Sequence, residues 1–156
     1  MEKVQSEIAT ILTDYDSVLL FNVSSYYKPS NLLCGTIIKD HGIEYLTIEM
    51  VEDTFSFYDM KVMSVKTSYC ESCAVPNLSE IESIRDDSLN YQGFDSNGLK
   101  TETSDREIWS ILIWKNRELL LKQSYNPVEL QSLYPTRDRQ IFVDLINSYR
   151  SLLSGK

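Results

Sequence analysis

The sequence predicts an α+β fold: a mostly antiparallel sheet of about five or six strands, with an N-terminal and a C-terminal helix packed on it. Three observations predict it. Both ends of the chain carry apolar residues at helical spacing, over residues 3–13 and 137–153. Between them, β-rich segments follow one another through short turns, which favours antiparallel neighbours. The clearest β signal is a pair of apolar runs, 106–114 and 118–123, around a tight Lys115-Asn116-Arg117 turn.

Taken in order, Val4, Ile8, Ile11 and Leu12 fall at i, i+4, i+7 and i+8, a single helical stripe. Residues 17–24 are apolar on both faces, as in a well-covered strand. A loop with Tyr26, Tyr27 and Pro29 follows. Strands are expected at about 33–39 and 43–50, joined at Asp40-His41-Gly42, where Gly42 can take a positive φ. Residues 54–65 read as a strand with a phase break. Phe55 and Phe57 share one parity and Met60 and Val62 the other, so a bulge near Tyr58-Asp59, or two shorter strands, would explain the pattern.

Residues 66–76 read as a loop. Asn77 or Ser79 could cap a short acidic helix near 79–87, with Leu78, Ile81 and Ile84 at helical spacing. The polar tract 88–105 lacks periodicity, and such long loops are commonly functional. The 106–123 hairpin is apolar on both faces and is expected centrally in the sheet. Pro127 opens a short helical turn, and Thr136 caps the last helix. That helix carries a broad stripe of Ile141, Phe142, Leu145, Ile146, Tyr149, Leu152 and Leu153.

A chain of 156 residues, 42% hydrophobic and 24% charged, fits a single globular domain spanning 1–156. Its apolar runs are too short to span a bilayer. Its start, Met1-Glu2-Lys3-Val4-Gln5, has no basic and apolar leader pattern, so a cytoplasmic location is expected. Charge is laid out unevenly. Residues 1–75 carry eleven acids against five bases, 76–107 eight against three, and 108–156 four against seven, giving the net charge of −8. An acidic body of this kind argues against nucleic-acid binding, which needs clustered Lys and Arg. It suits a basic protein partner, steered by opposite fields.

Catalytic and metal chemistry finds little support. Three cysteines make no disulfide framework, and Cys34, in an apolar stretch, is expected as a buried thiol. Cys70-Glu71-Ser72-Cys73 is the one motif-like feature. A structural zinc site would need Cys34 and His41 from distant strands as well. A thioredoxin-type pair would need a helix where Pro76 disfavours one. Two thiols in a surface loop is the simpler reading. His41 is the only histidine and suits an exposed turn. Glu49, Glu52 and Asp53 cluster at a strand end without a sign of the raised pKa that acid–base work needs, and the glycines form no phosphate loop. The expectation is a non-enzyme without a cofactor.

Ten tyrosines are the more informative feature. Many lie near expected loops, and tyrosine combines contact area with a polar tip at interfaces. The expected partner-binding patches are Tyr26-Tyr27 and the region from Tyr69 to Asp105, containing Glu80, Glu82, Asp86, Asp87, Tyr91, Phe94 and Asp95.

Residues Ile108–Ser124 followed by Pro135–Leu153, a hairpin and then a helix, resemble the small acidic immunity proteins that neutralise bacterial toxins. The element order and acidity also resemble type III secretion chaperones. Both resemblances are at the level of pattern and carry no functional residue across. The first implies an α+β protein that binds and masks a secreted, basic toxin, with acids of the 69–105 segment standing in for an anionic substrate. The second implies a homodimer that holds an extended partner chain. A small redox or metal protein using Cys70 and Cys73 is the third reading.

Overall fold

A computed structural model describes residues 2–25, 32–39, 42–52, 60–70, 77–93, 97 and 107–154. Eleven elements follow one another: α1 (Glu2–Leu12), β1 (Ser17–Ser25), β2 (Leu32–Lys39), β3 (Gly42–Glu52), β4 (Met60–Cys70), α2 (Leu78–Glu82), α3 (Asp86–Leu89), β5 (Glu107–Lys115), β6 (Glu118–Tyr125), α4 (Pro127–Leu133) and α5 (Arg137–Ser154). The strands form one six-stranded sheet in the order β4-β3-β2-β1-β5-β6, antiparallel across β1–β2, β2–β3 and β3–β4. The α+β class, with helices at both ends of the chain, is as the sequence predicts.

The chain divides into two compact units. The first comprises residues 1–22, 30–76 and 111–121; the second comprises 23–29, 77–110 and 122–156.

The first unit is built on apolar burial. Ile8 and Leu12, four apart on α1, pack with Val18 and Leu20 of β1, Ile37 of β2, Leu46 and Ile48 of β3, and Leu112 and Trp114 of β5. Each strand contributes alternate residues, the period-two pattern of a face. The Trp114 indole Nε1 donates to the Tyr15 carbonyl at 3.0 Å, so the one polar atom of that ring is satisfied inside the cluster. Gly35 lies beside Leu20 in the β1–β2 register, and a Cβ there would stand 1.8 Å from the Leu19 carbonyl oxygen. Only glycine allows that backbone approach.

Three local expectations change. Pairing with β3 carries β4 through Cys70, opposite Ile43, so Cys70 closes a strand and does not open a loop. Its polar sequence hides it because residues 65–69 are all exposed. The expected bulge near Tyr58-Asp59 lies outside the described residues. Among the described residues, a register shift occurs where Glu49 pairs with Ser64 and Met50 with Val62, leaving Met63 as the extra residue. The 106–123 hairpin is not central: β5 is one strand in from the edge and β6 is the edge. Burial of both parities of β5, Trp109, Ile111 and Ile113 as well as Leu112 and Trp114, produces its two-sided apolar pattern. Finally, the single acidic helix divides into α2 and α3. Ser83 ends α2, its Oγ donating to the Glu80 carbonyl at 2.6 Å, and Ile84 leaves the helix to be buried.

Turn chemistry is as expected where it is described. Asn116 and Arg117 both take positive φ, 53° and 61°, matching a primed two-residue hairpin turn. Lys39 pairs with Gly42, so two residues join β2 to β3; those two, Asp40 and His41, are outside the described set. Thr136 caps α5, its Oγ1 accepting from the Arg139 amide at 3.2 Å.

Candidate functional site

The second unit is organised around Arg139. It sits on the first turns of α5, in helical phase with Phe142, Val143 and Ile146, and is fully buried. Its guanidinium donates to four carbonyls: Leu89 at 2.9 Å, Leu130 at 3.0 Å, Tyr134, and Tyr91. No carboxylate is among them. Burial lowers the pKa of the group, yet five fixed donors keep it suited to holding carbonyls at the ends of short helices. One side chain thereby joins α3, the segment after it, α4 and α5. Thr136 Oγ1 adds a bond to the Ser88 carbonyl at 2.9 Å, and Lys122 Nζ donates to the Ile84 carbonyl at 2.9 Å.

This scaffold presents the expected acids on consecutive short helices. Asn77 caps α2, its Oδ1 accepting from the Glu80 amide at 3.2 Å. Glu80 lies in the first turn of α2, Asp86 and Asp87 in the first turn of α3. The four acids are not equivalent. Arg85 grips Asp87 through Nε at 3.1 Å and Nη2 at 2.5 Å, and that hydrogen-bonded guanidinium holds the Asp87 carboxyl below the ordinary aspartate range. Its charge is therefore matched locally. Glu82 is half-buried. Glu80 and Asp86 are exposed and, among the described residues, meet no cation. The Arg85 amide donates to Asp138 Oδ2 at 3.1 Å, tying the start of α3 to α5.

Tyr91 follows α3, exposed, its ring edge-on to Tyr134 at a centroid distance of 6.2 Å. Gly93 is buried under the Tyr134 ring, where a Cβ would lie 2.4 Å from Cε1. Tyr91 thus joins Glu80, Glu82, Asp86 and Asp87 in the second unit. Tyr69 belongs to the first unit, exposed on β4 opposite Glu44. Tyr26, Tyr27, Phe94 and Asp95 lie outside the described residues.

A groove runs beside these acids, lined by Asn77, Glu80 and Ile81 from α2 and its cap and by Ile141, Asp144, Leu145 and Ser148 from α5, with a volume of about 250 Å³. The four α5 residues are spaced i, i+3, i+4 and i+7, one stripe along the helix. Ile141 and Leu145 belong to the apolar stripe expected on this helix, and both are half-buried at the groove. Arg139 is the residue the sequence reading missed. Its signal was available, as an arginine in phase with Phe142, Val143 and Ile146.

Among the described residues, no group of three or more His, Cys, Asp and Glu could hold a metal ion. Cys34 is a half-buried thiol whose pKa burial raises, which keeps it protonated and unreactive. Cys73 and His41 fall outside the described residues. Among the described residues, no helix is long and apolar enough to cross a membrane. Compared with known proteins, the chain matches no family model and no curated protein.

Proposed function

We propose that the chain is a non-enzymatic binding protein of the immunity type, which engages and masks a basic protein partner. The observation that carries this reading is the pair of exposed carboxylates, Glu80 and Asp86, that meet no cation among the described residues, on a segment that Arg139 ties to α4 and α5. A fixed acidic surface steers a basic partner and loses little entropy on docking. Tyr91 and Tyr134 add rigid aromatic area beside it. Asp87 contributes less than a count of acids suggests, because Arg85 answers its charge.

The test is capture of partners from the native host by the tagged full chain, identified by mass spectrometry and run beside sizing of the purified protein. One stoichiometric basic protein is the expected result. The Glu80→Lys/Asp86→Lys variant should then associate at least about tenfold more slowly at low salt, with a flatter salt dependence. The Cys70→Ser/Cys73→Ser variant should bind as the wild type does. Unchanged association of the charge-reversed variant would make the acidic segment ordinary solvated surface. A stable homodimer holding an extended chain would support the secretion-chaperone reading instead, with exposed residues 65–69 of edge strand β4 as the natural place for strand addition.

A further inference from the structure

The α2–α5 groove has a distinctive chemical layout. Its floor is apolar: Ile81, which is 2% exposed, with Ile141 and Leu145 half-buried beside it. Its polar lining is acidic and neutral, from Glu80, Asp144, Asn77 and Ser148, with no basic residue. Glu80 meets no cation among the described residues. Asp144 accepts from Gln140 Nε2 through Oδ1 at 2.8 Å, and among the described residues no cation answers its charge. Asp138, one turn before Ile141 on α5, accepts from the Arg85 amide through Oδ2.

We infer that this groove is the docking pocket for an arginine side chain of the basic protein partner, an inference that rests on the function proposed above. Charge complementarity selects the occupant. Two carboxylates at the walls repel any anion, and the absence of a basic lining residue leaves a guanidinium nothing to compete with. The apolar floor selects further. A long cationic side chain lays its methylene stem on apolar surface while its head meets the carboxylates, which a small inorganic cation cannot do. Size gives the third constraint. About 250 Å³ lies below the roughly 300–1,000 Å³ of sites that take cofactors or drug-sized ligands, yet gives room for one long side chain. Arginine suits it better than lysine, since a planar fork can bond carboxylates on two walls at once. Arginine is also enriched among the residues that carry interface affinity.

The acids of the segment then divide into two roles. Asp86 acts at a distance, raising the rate of encounter. Glu80 and Asp144 act at contact, slowing release.

The test uses the isotope-labelled full chain and follows its amide NMR shifts. The probe is a short capped peptide of alternating alanine and arginine, with lysine and glutamate versions as comparison arms. Expected are saturable shifts centred on residues 77–81 and 141–148, strongest for arginine, weaker for lysine and absent for glutamate. Glu80→Gln/Asp144→Asn substitutes only exposed positions and should melt like the wild type while weakening the arginine peptide about five- to tenfold. Asp86→Asn should leave peptide affinity within about twofold. Shifts centred elsewhere, or equal affinity in the Glu80→Gln/Asp144→Asn variant, would overturn the pocket. The two readings fail separately. A basic partner captured equally well by that variant removes the groove and leaves the proposed function standing. Failure to capture a basic partner removes the proposed function, while the peptide titration still decides whether the groove takes arginine.

Discussion

The two compact units are held together by different physics. In the first, alternate residues of β1, β2, β3 and β5 meet Ile8 and Leu12 of α1 in an apolar cluster, and backbone groups are satisfied by the sheet itself. In the second, short helices end close to one another, and each helix end leaves carbonyls that need donors. Arg139 supplies them at Leu89, Leu130, Tyr134 and Tyr91. A sheet-based unit tolerates loss of one contact gradually. The second unit has buried apolar residues of its own, among them Ile81, Leu89, Leu130, Phe142 and Ile146, but it concentrates its polar satisfaction on one guanidinium, and a buried acceptor costs about 1–3 kcal/mol when unmet. The difference suits the proposed role: the acidic surface is borne by the unit whose geometry a polar network fixes.

Three experiments would break or sharpen that contrast. Gly35→Ala should have the largest effect, about 4 kcal/mol or more, because the new Cβ meets backbone atoms of Leu19 and Leu20 that no rotamer change can move. Denaturant unfolding checks it, with protection of β1–β3 amides expected to fall first. Arg139→Met should cost about 3–5 kcal/mol by the same measurement, since it fills the space but takes the guanidinium donor from four carbonyls, of which Leu130 keeps the Tyr134 amide and Leu89 the Ser124 hydroxyl. Its signature is regional: hydrogen exchange should rise over 86–93 and 127–134 while the apolar cluster stays protected. Arg139→Lys should recover little of this, a point charge being unable to reach four acceptors as a fork does. A loss below about 1 kcal/mol for Arg139→Met would mean that packing alone holds the second unit.

The smallest effect concerns Asp87. Arg85 lowers its folded pKa, so the ionised form is favoured in the folded state. The sign follows: this contribution is present above the ordinary aspartate value and is lost as pH falls through the depressed folded value. Arg85→Gln should raise the Asp87 titration midpoint back towards ordinary, as read by carboxyl NMR, with stability at neutral pH hardly changed because both groups are exposed. An unmoved midpoint would show that the pair seen here does not persist in solution.

The strands and terminal helices were legible because their signals are periodic and local. Val18-Leu19-Leu20-Phe21, the 106–123 hairpin and the stripe of α5 declare themselves without any partner. β4 was only half legible: Lys66, Thr67 and Ser68 look like loop residues because an edge strand needs no apolar face. The expected acids were visible as residue types, but their inequality was not, since Asp87 is matched only once Arg85 folds onto it.

Local sequence specifies the α+β class, the order of the strands and terminal helices, a cap at Asn77 or Ser79 and another at Thr136, and the acidic character of the 76–107 block. These depend on neighbours a few residues apart. Tertiary packing alone makes β6 an edge strand with β5 one strand in, buries Arg139, and brings Ile141 and Leu145 to line a groove with Glu80. Those outcomes rest on contacts between residues some 50–60 positions apart in the chain, such as Arg139 with Leu89 and Ile81 with Ile141. No local period records a carbonyl that waits for a donor 50 residues away.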